Sequence, residues 1–268
     1  MRFRLTLHIK RGSILPLNYQ YPISSWIYKC INRADSDFAR FLHEQGYIGA
    51  KAGKPFKFFT FSKLQVPQRE IYQDRMIIKS PEVYLTLSFL VEQAAEKFIT
   101  GVFQHQHAGI GDKKSQVDFE VGAIEARPVP VSNEVYVKAS SPIVVSKPGI
   151  IQNGKMRAQY MSPEDPGYSD IFLRNLINKY EAYASYTGNS VSADYTESMD
   201  WTLEGKKVKS RLETIKAGTN AETKVRGYQY AFKLKAPEPL VRIGLLAGFG
   251  EKNSLGFGCG EVVTNGNC

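Results

Sequence analysis

Cysteine is scarce in this chain. The three present in 268 residues, Cys30, Cys259 and Cys268, stand far apart and outside any Cys-x-x-Cys spacing. That argues against a disulfide framework and a structural zinc site, leaving buried or incidental thiols. Long apolar runs are missing too: nothing approaches the ~20 residues a membrane span needs. The opening MRFRLTLHIK has neither an apolar block nor a small-residue cleavage site, so a soluble, cytoplasmic protein without a secretory signal is expected. Low-complexity tracts do not occur. The phosphate-binding fingerprints of nucleotide enzymes are also absent. In GFGEKNSLGFGCG, residues 248–260, the next glycine after Gly248 and Gly250 is Gly256, which breaks G-x-G-x-x-G, and no Gly-Lys-Ser/Thr follows. No cofactor is expected.

Acidic residues are the next shortage. Lys and Arg number 35 against 26 Asp and Glu, a net charge of +9, and such an excess favours a polyanionic partner through counterion release. The excess is concentrated. Between Trp201 and Lys235 nine basic residues face three acidic ones, a net +6 on one segment. In KKVKSRLETIK, which begins at Lys206, the basic residues Lys207, Lys209 and Arg211 share strand parity, so on a strand they project from one face, as a phosphate-tracking groove requires. The other reading is a solvated edge strand kept from aggregating by its lysines.

Periodicity supplies the fold class. RFRLTLHI alternates Phe3, Leu5, Leu7 and Ile9 against polar positions, a half-buried strand. Ile23, Trp26, Ile27, Cys30 and Ile31 form one helical stripe, and Phe38, Phe41 and Leu42 begin a second after Asp35 or Ser36 as cap. FKFFTFSKL, REIYQDRMIIKS and EVYLTLSFL read as strands, VEQAAEKFITGVF as helix and QVDFEVGAIEA as strand. The order is βαββαβ with an extra strand. After the Pro-rich RPVPVSNE come a strand, VYVKASSPIVVS, and a Gly/Pro loop. A helix follows with Ile171, Phe172, Asn175, Leu176, Lys179 and Tyr183 at helical spacing, capped by Gly188. Strands over 197–216 and 224–235, a short helix or turn and a final strand repeat βαββαβ. The expectation is an α+β chain of two tandem ferredoxin-like domains, residues 1–130 and 131–268.

The glycine run then gains meaning. GLLAGFGEKNSLGFGCGEV, residues 244–262, closely resembles the carboxy-terminal motif of the CRISPR-associated repeat-RNA endoribonucleases, the Cas six family of the RAMP superfamily. The likeness extends to SSWIYKCI, FARFLHEQG and FKFFTFSKL, while residues 100–200 carry no diagnostic motif. The resemblance implies a glycine-rich loop facing RNA, with Gly248, Gly250, Lys252, Asn253, Ser254, Gly256 and Gly258 letting main chain meet RNA backbone. It also implies metal-free cleavage by attack of a ribose 2′-hydroxyl on the adjacent phosphate, with Tyr28, His43 and Lys57 at the catalytic positions. Lys51 and Lys54 in the same loop are further candidates for the phosphate.

Helical geometry gives a separate reading of two of these residues. Tyr28 falls one step, about 100°, past Ile27, beside Ser24 and Asn32, and His43 falls one step past Leu42, so neither is placed on an apolar stripe. Taken alone, each reads as an ordinary surface or flank residue. Histidine ordinarily titrates near ~6.5, which suits proton exchange around neutrality. His105 and His107 in HQH, at i and i+2 on a helix end, are not expected to converge on a metal. The resemblance, with His43 in place, implies an endoribonuclease of CRISPR repeat RNA; the alternatives are a protein that binds the repeat without cutting and a structural RAMP subunit of an interference complex. Homodimer formation is open as well.

Overall fold

The computed structural model describes residues 1–49, 55–152, 155–189 and 198–264; the side chains of 150–152, 155–157 and 206 lie outside that description. In the first half β1 (Arg2–Arg11) buries Phe3, Leu5 and Leu7, as its alternation requires. It runs antiparallel between β6 (Glu82–Phe89) and β8 (Gln116–Ala126). β3 (Phe59–Phe61) pairs with β6 and β7 (His107–Gly111) with β8, which gives the order β3-β6-β1-β8-β7. Helices α1 (Gln20–Ala34) and α3 (Glu92–Gln104) pack together. The apolar stripe of α1 is buried at Ile23, Trp26, Ile27, Cys30 and Ile31. Asp35 accepts from the Phe38 amide at 2.9 Å and caps α2 (Ser36–Arg40), which runs directly into a π-helical turn, Phe41–Gln45.

The second half repeats the plan. β9 (Glu134–Ala139), α4 (Tyr168–Thr187), β12 (Asp200–Ile215), β13 (Thr223–Lys235), α5 (Glu238–Ala247) and β14 (Gly260–Val263) build a sheet of order β12-β13-β9-β14. In both sheets the strand that opens the unit lies between the third and fourth strands of its βαββαβ set, so the chain is two tandem ferredoxin-like units. One continuous core joins them, from Phe3 to Phe249. Arg2, only 7% exposed, ties the seam: its guanidinium donates to Ser88 Oγ at 2.8 Å and to the carbonyls of Leu245 and Gly260 at 2.6 and 2.9 Å.

Three additions differ from the sequence reading. REIYQDRMIIKS is no strand of the main sheet; it is the hairpin β4 (Arg69–Tyr72) and β5 (Arg75–Ile78), which joins β2 (Ile14–Pro16) in a separate three-stranded sheet. The strand read as VYVKASSPIVVS ends at Ala139, and the Gly/Pro loop beyond it contains the hairpin β10 (Ser146–Gln152) and β11 (Lys155–Tyr160). β7 follows the helix after only a short break, and it brings the rings of His105 and His107 to 5.6 Å, edge to face. The two rings can meet because His105 ends the helix while His107 already lies on a strand. Among the described residues no group of three or more His, Cys, Asp or Glu is placed to hold a metal, and no helix is long and apolar enough to cross a membrane.

Candidate active site

α1 presents Ser24 and Tyr28 on the flank beside its buried stripe. The turn Asn253–Leu255 covers part of that flank. Ser24 Oγ donates to the carbonyl of Ser254 at 2.6 Å, and the Ser254 side chain hydrogen-bonds Tyr28. Burial pushes the Tyr28 phenol up to about 12, against the smaller opposing effect of that bond. At neutral pH the phenol therefore keeps its proton and can donate it.

His43 comes from the π-helical turn and is exposed. Its ring meets that of Tyr28 edge to face at 5.4 Å, and both line a pocket of about 400 Å³ with Asn32, Arg33 and Arg40. Lys57 reaches the same turn from the other side: its Nζ donates to the His43 carbonyl at 2.9 Å, and burial lowers its pKa. Tyr28 and His43 thus share one patch, and Lys57 is tied to the main chain of the turn that carries His43. Lys51 and Lys54 fall outside the described residues.

The glycine-rich loop differs from the expectation of main chain opened toward a ligand. Gly248, Gly250, Gly256 and Gly258 are all buried and all have positive φ. The close approaches that exclude a side chain are to the protein itself. A Cβ on Gly250 would meet the Val144 carbonyl oxygen at 2.3 Å, and one on Gly258 the Phe249 carbonyl oxygen at 2.0 Å. The amides of Gly248, Gly256 and Gly258 donate to the carbonyls of Gly244, Asn253 and Pro142, so they are not an anion-binding nest. Glycine is spent here on packing the loop into the seam. Thr60 Oγ1 from β3 donates to the Phe257 carbonyl at 2.9 Å across that seam. Of the loop's candidates, Lys252, Asn253 and Ser254 are partly exposed.

A residue not proposed from sequence holds the loop from beneath. Lys179 of α4 is 1% exposed, and its Nζ donates to the carbonyls of Gly248 and Gly250 at 2.5 and 2.6 Å and to Asn253 Oδ1 at 2.7 Å. Burial lowers its pKa to about 7. Asn253 Nδ2 in turn donates to the carbonyls of Phe249 and Phe257. The chain of bonds runs from Lys179 through Asn253 to the turn that touches Tyr28. The signal was visible in the sequence: a lysine at a core-facing position of a helical stripe.

The basic strand needs one correction. β12 and β13 lose register between Glu204 and Lys209, where four residues of one strand, 205–208, lie opposite one of the other, Tyr230. Lys207 therefore sits in a bulge and out of the row, because an irregular insertion breaks the alternation of faces. Lys209 and Arg211 keep common parity and are exposed; Glu213 and Ile215 continue their row inward and are buried. Glu213 meets Lys63 Nζ at 3.1 Å and Gln20 Nε2 at 3.3 Å, so the row runs outward from the seam between the halves. The side chain of Lys206 lies outside the description.

Comparison with known proteins decides the family. Residues 14–123 match the model for the N-terminal part of CRISPR-associated protein Cas6, and residues 125–262 the model for its C-terminal part. The chain belongs to the Cas6 family. It is 28% identical over 258 residues to a protein of Methanocaldococcus jannaschii named CRISPR-associated endoribonuclease Cas6 1, covering 96% of this chain and 91% of that one. Two solved structures share the Cas6 fold. The product of a Cas6-related gene from Pyrococcus furiosus superposes with a TM-score of 0.80 at 22% identity over 99% of both chains. A RAMP protein described as binding different RNA substrates superposes with a TM-score of 0.77 at 26% identity, covering 98% of this chain and all of the other.

Proposed function

We propose that this chain is a metal-independent endoribonuclease that cuts CRISPR precursor RNA within its repeat to release guide RNAs. The first half, residues 1–130, supplies the reacting groups, and the second, residues 131–268, supplies the loop and basic strand. The observation that carries the reading is the convergence of Tyr28, His43 and Lys57 beside Ser254, at a seam from which exposed Lys209 and Arg211 extend. The chemistry asks for three things: an acceptor for the 2′-hydroxyl proton, a donor for the leaving 5′-oxygen, and a cation for the charge that gathers on the phosphorane. His43 is the main proton-transfer group. Tyr28, protonated at neutral pH, donates a hydrogen bond to an oxygen of the reacting phosphate, and Lys57 supplies positive charge. The ribose oxygen bonds to phosphorus, the bond to the 5′-oxygen breaks, and the products are a 2′,3′-cyclic phosphate and a 5′-hydroxyl.

The test is incubation with the repeat RNA in EDTA, with and without a 2′-deoxy nucleotide just 5′ of the cut. Cleavage of the all-ribose RNA alone, with both RNAs bound, is the expected result. Cleavage of the deoxy substrate removes the proposed nucleophile. Binding without cleavage in every condition leaves a repeat-RNA-binding protein instead.

A further inference from the structure

The turn that sits against Tyr28 has a part in the chemistry that nothing above assigns. Ser24 and Tyr28 stand four residues apart on α1, about 6 Å along the helix axis, and Ser254 bridges them. Its carbonyl accepts from Ser24 Oγ at 2.6 Å, and its side chain hydrogen-bonds the Tyr28 phenol. One residue of the second half thus holds two points on one face of a helix of the first.

Ser254 is itself held in place. Lys179 Nζ donates to Asn253 Oδ1 at 2.7 Å, and on either side of Ser254 the Leu255 amide donates to the Lys252 carbonyl and the Gly256 amide to the Asn253 carbonyl, both at 3.0 Å. Ser24, which receives the turn on α1, is 2% exposed. The Tyr28 ring has little freedom either, since His43 meets it edge to face at 5.4 Å and Phe59 at 5.5 Å. What the packing leaves undetermined is the direction of the phenol hydrogen, which can turn about the C–O bond. A phenol has one hydrogen to give. Given to Ser254, it is lost to any phosphate. The Ser254 bond works against the upward shift that burial imposes on Tyr28, and a bond that favours the deprotonated phenol is one that the phenol oxygen accepts. The serine hydroxyl is the donor, and the tyrosine hydrogen is left for an acceptor in the pocket that Tyr28 lines with His43.

We propose that Ser254 is a positioning residue for cleavage: its hydroxyl donates to the Tyr28 oxygen and so directs the Tyr28 hydrogen at the reacting phosphate, while adding nothing to RNA affinity. The glycine-rich loop then acts on the reaction through a tyrosine of the other half. The inference rests on the reading of the chain as a repeat-RNA endoribonuclease.

The test uses the full chain with Ser254→Ala, Ser254→Thr, Tyr28→Phe and the double variant of Ser254→Ala with Tyr28→Phe. Single-turnover cleavage of the repeat RNA is followed at saturating protein, and affinity is measured on the uncleavable 2′-deoxy form. Alanine keeps the main-chain bond to Ser24, so the turn stays seated and only the hydroxyl goes. Ser254→Ala should cut about 10-fold more slowly with unchanged affinity, and Ser254→Thr, which retains a hydroxyl, should recover most of the rate. Tyr28→Phe keeps His43, so its slower cleavage can still be followed. In that background Ser254→Ala should cost nothing further, since the two changes remove one interaction. An unchanged rate, an equal loss of rate and affinity, a threonine variant as slow as the alanine one, or the same loss with and without the Tyr28 hydroxyl would overturn the assignment and leave the nuclease reading standing. Binding without cleavage by the parent would remove both.

Discussion

Lys57 and Lys179 each donate to main-chain carbonyls beside the same cleft, the first to the turn that carries His43 and the second to the loop that carries Ser254. Burial lowers the pKa of both, yet Lys57 keeps part of its surface in water while Lys179 is 1% exposed. The wall from the first half is exposed at His43 and secured by few bonds. The wall from the second half is a packed loop whose glycines are buried and several of whose amides and carbonyls are bonded within the protein itself. Chemistry and rigidity are thus divided between the halves, and substitutions on the two walls should fail in different ways.

The sharpest contrast is expected at His43. It is exposed, its ring meets Tyr28 edge to face, and its main-chain carbonyl accepts from Lys57. His43→Ala should therefore move stability by less than about 0.5 kcal/mol, because the Lys57 bond is to a carbonyl that alanine retains. Loss of its proton transfer should slow single-turnover cleavage on the order of 10² to 10⁴-fold with little change in RNA affinity. A melting temperature well below the parent's, or an equal loss of affinity and rate, would show that both walls are structural.

Lys179→Met should show the opposite pattern. Methionine retains the length of the side chain and strands three oxygens, two of them main-chain carbonyls, so a loss on the order of 3 kcal/mol in urea-monitored stability is expected. The wild type also carries a pH signature. Burial takes Lys179 from 10.5 to about 7. Between those values the unfolded chain still holds a proton that the folded chain has released, so this group makes stability rise with pH from about 7 toward about 10.5, with no contribution to the slope below about 6. Lys179→Met lacks that component, so the gap between the two proteins should widen on going from about pH 6 to about pH 9. A gap that stays constant with pH would mean that Lys179 keeps one protonation state in both forms.

The sequence showed much of this division and hid the rest for identifiable reasons. The stripes of α1 and α4 and the alternation of β1 could be read because each buries one face against a neighbour, and local spacing records such burial. β4 is exposed at all four residues and β2 has only three, so neither carries an alternation to read. The glycines were recognised as special, but the packing that requires them was not legible. Their close approaches are to Val144, Phe249 and Asn253, and spacing within the loop says nothing of a carbonyl a hundred residues away. Tyr28 and His43 stood out as off-stripe positions, and their meeting depends on a π-helical turn whose extra residue per turn shifts the facing of the side chains. Lys179 was already present among the core-facing positions of α4, and its charge there was the clue.

The smallest effects should come from the basic row, which belongs to neither wall. Lys209 and Arg211 are exposed and in register with Gln229 and Gly227, on the row whose inner end, Glu213, meets the first half. If RNA leaving the cleft follows that row, replacing either cation by alanine should leave stability within about 0.5 kcal/mol. It should weaken repeat binding modestly and reduce the slope of log affinity against log salt by about 1. Lys207 gives the internal control, since it is equally charged and exposed but displaced into the bulge. Its alanine variant should change the slope less than Lys209→Ala does. Equal slopes for the two would mean that the RNA responds to total charge, whatever the register of the strand, and the row would then lose its claim to be a track.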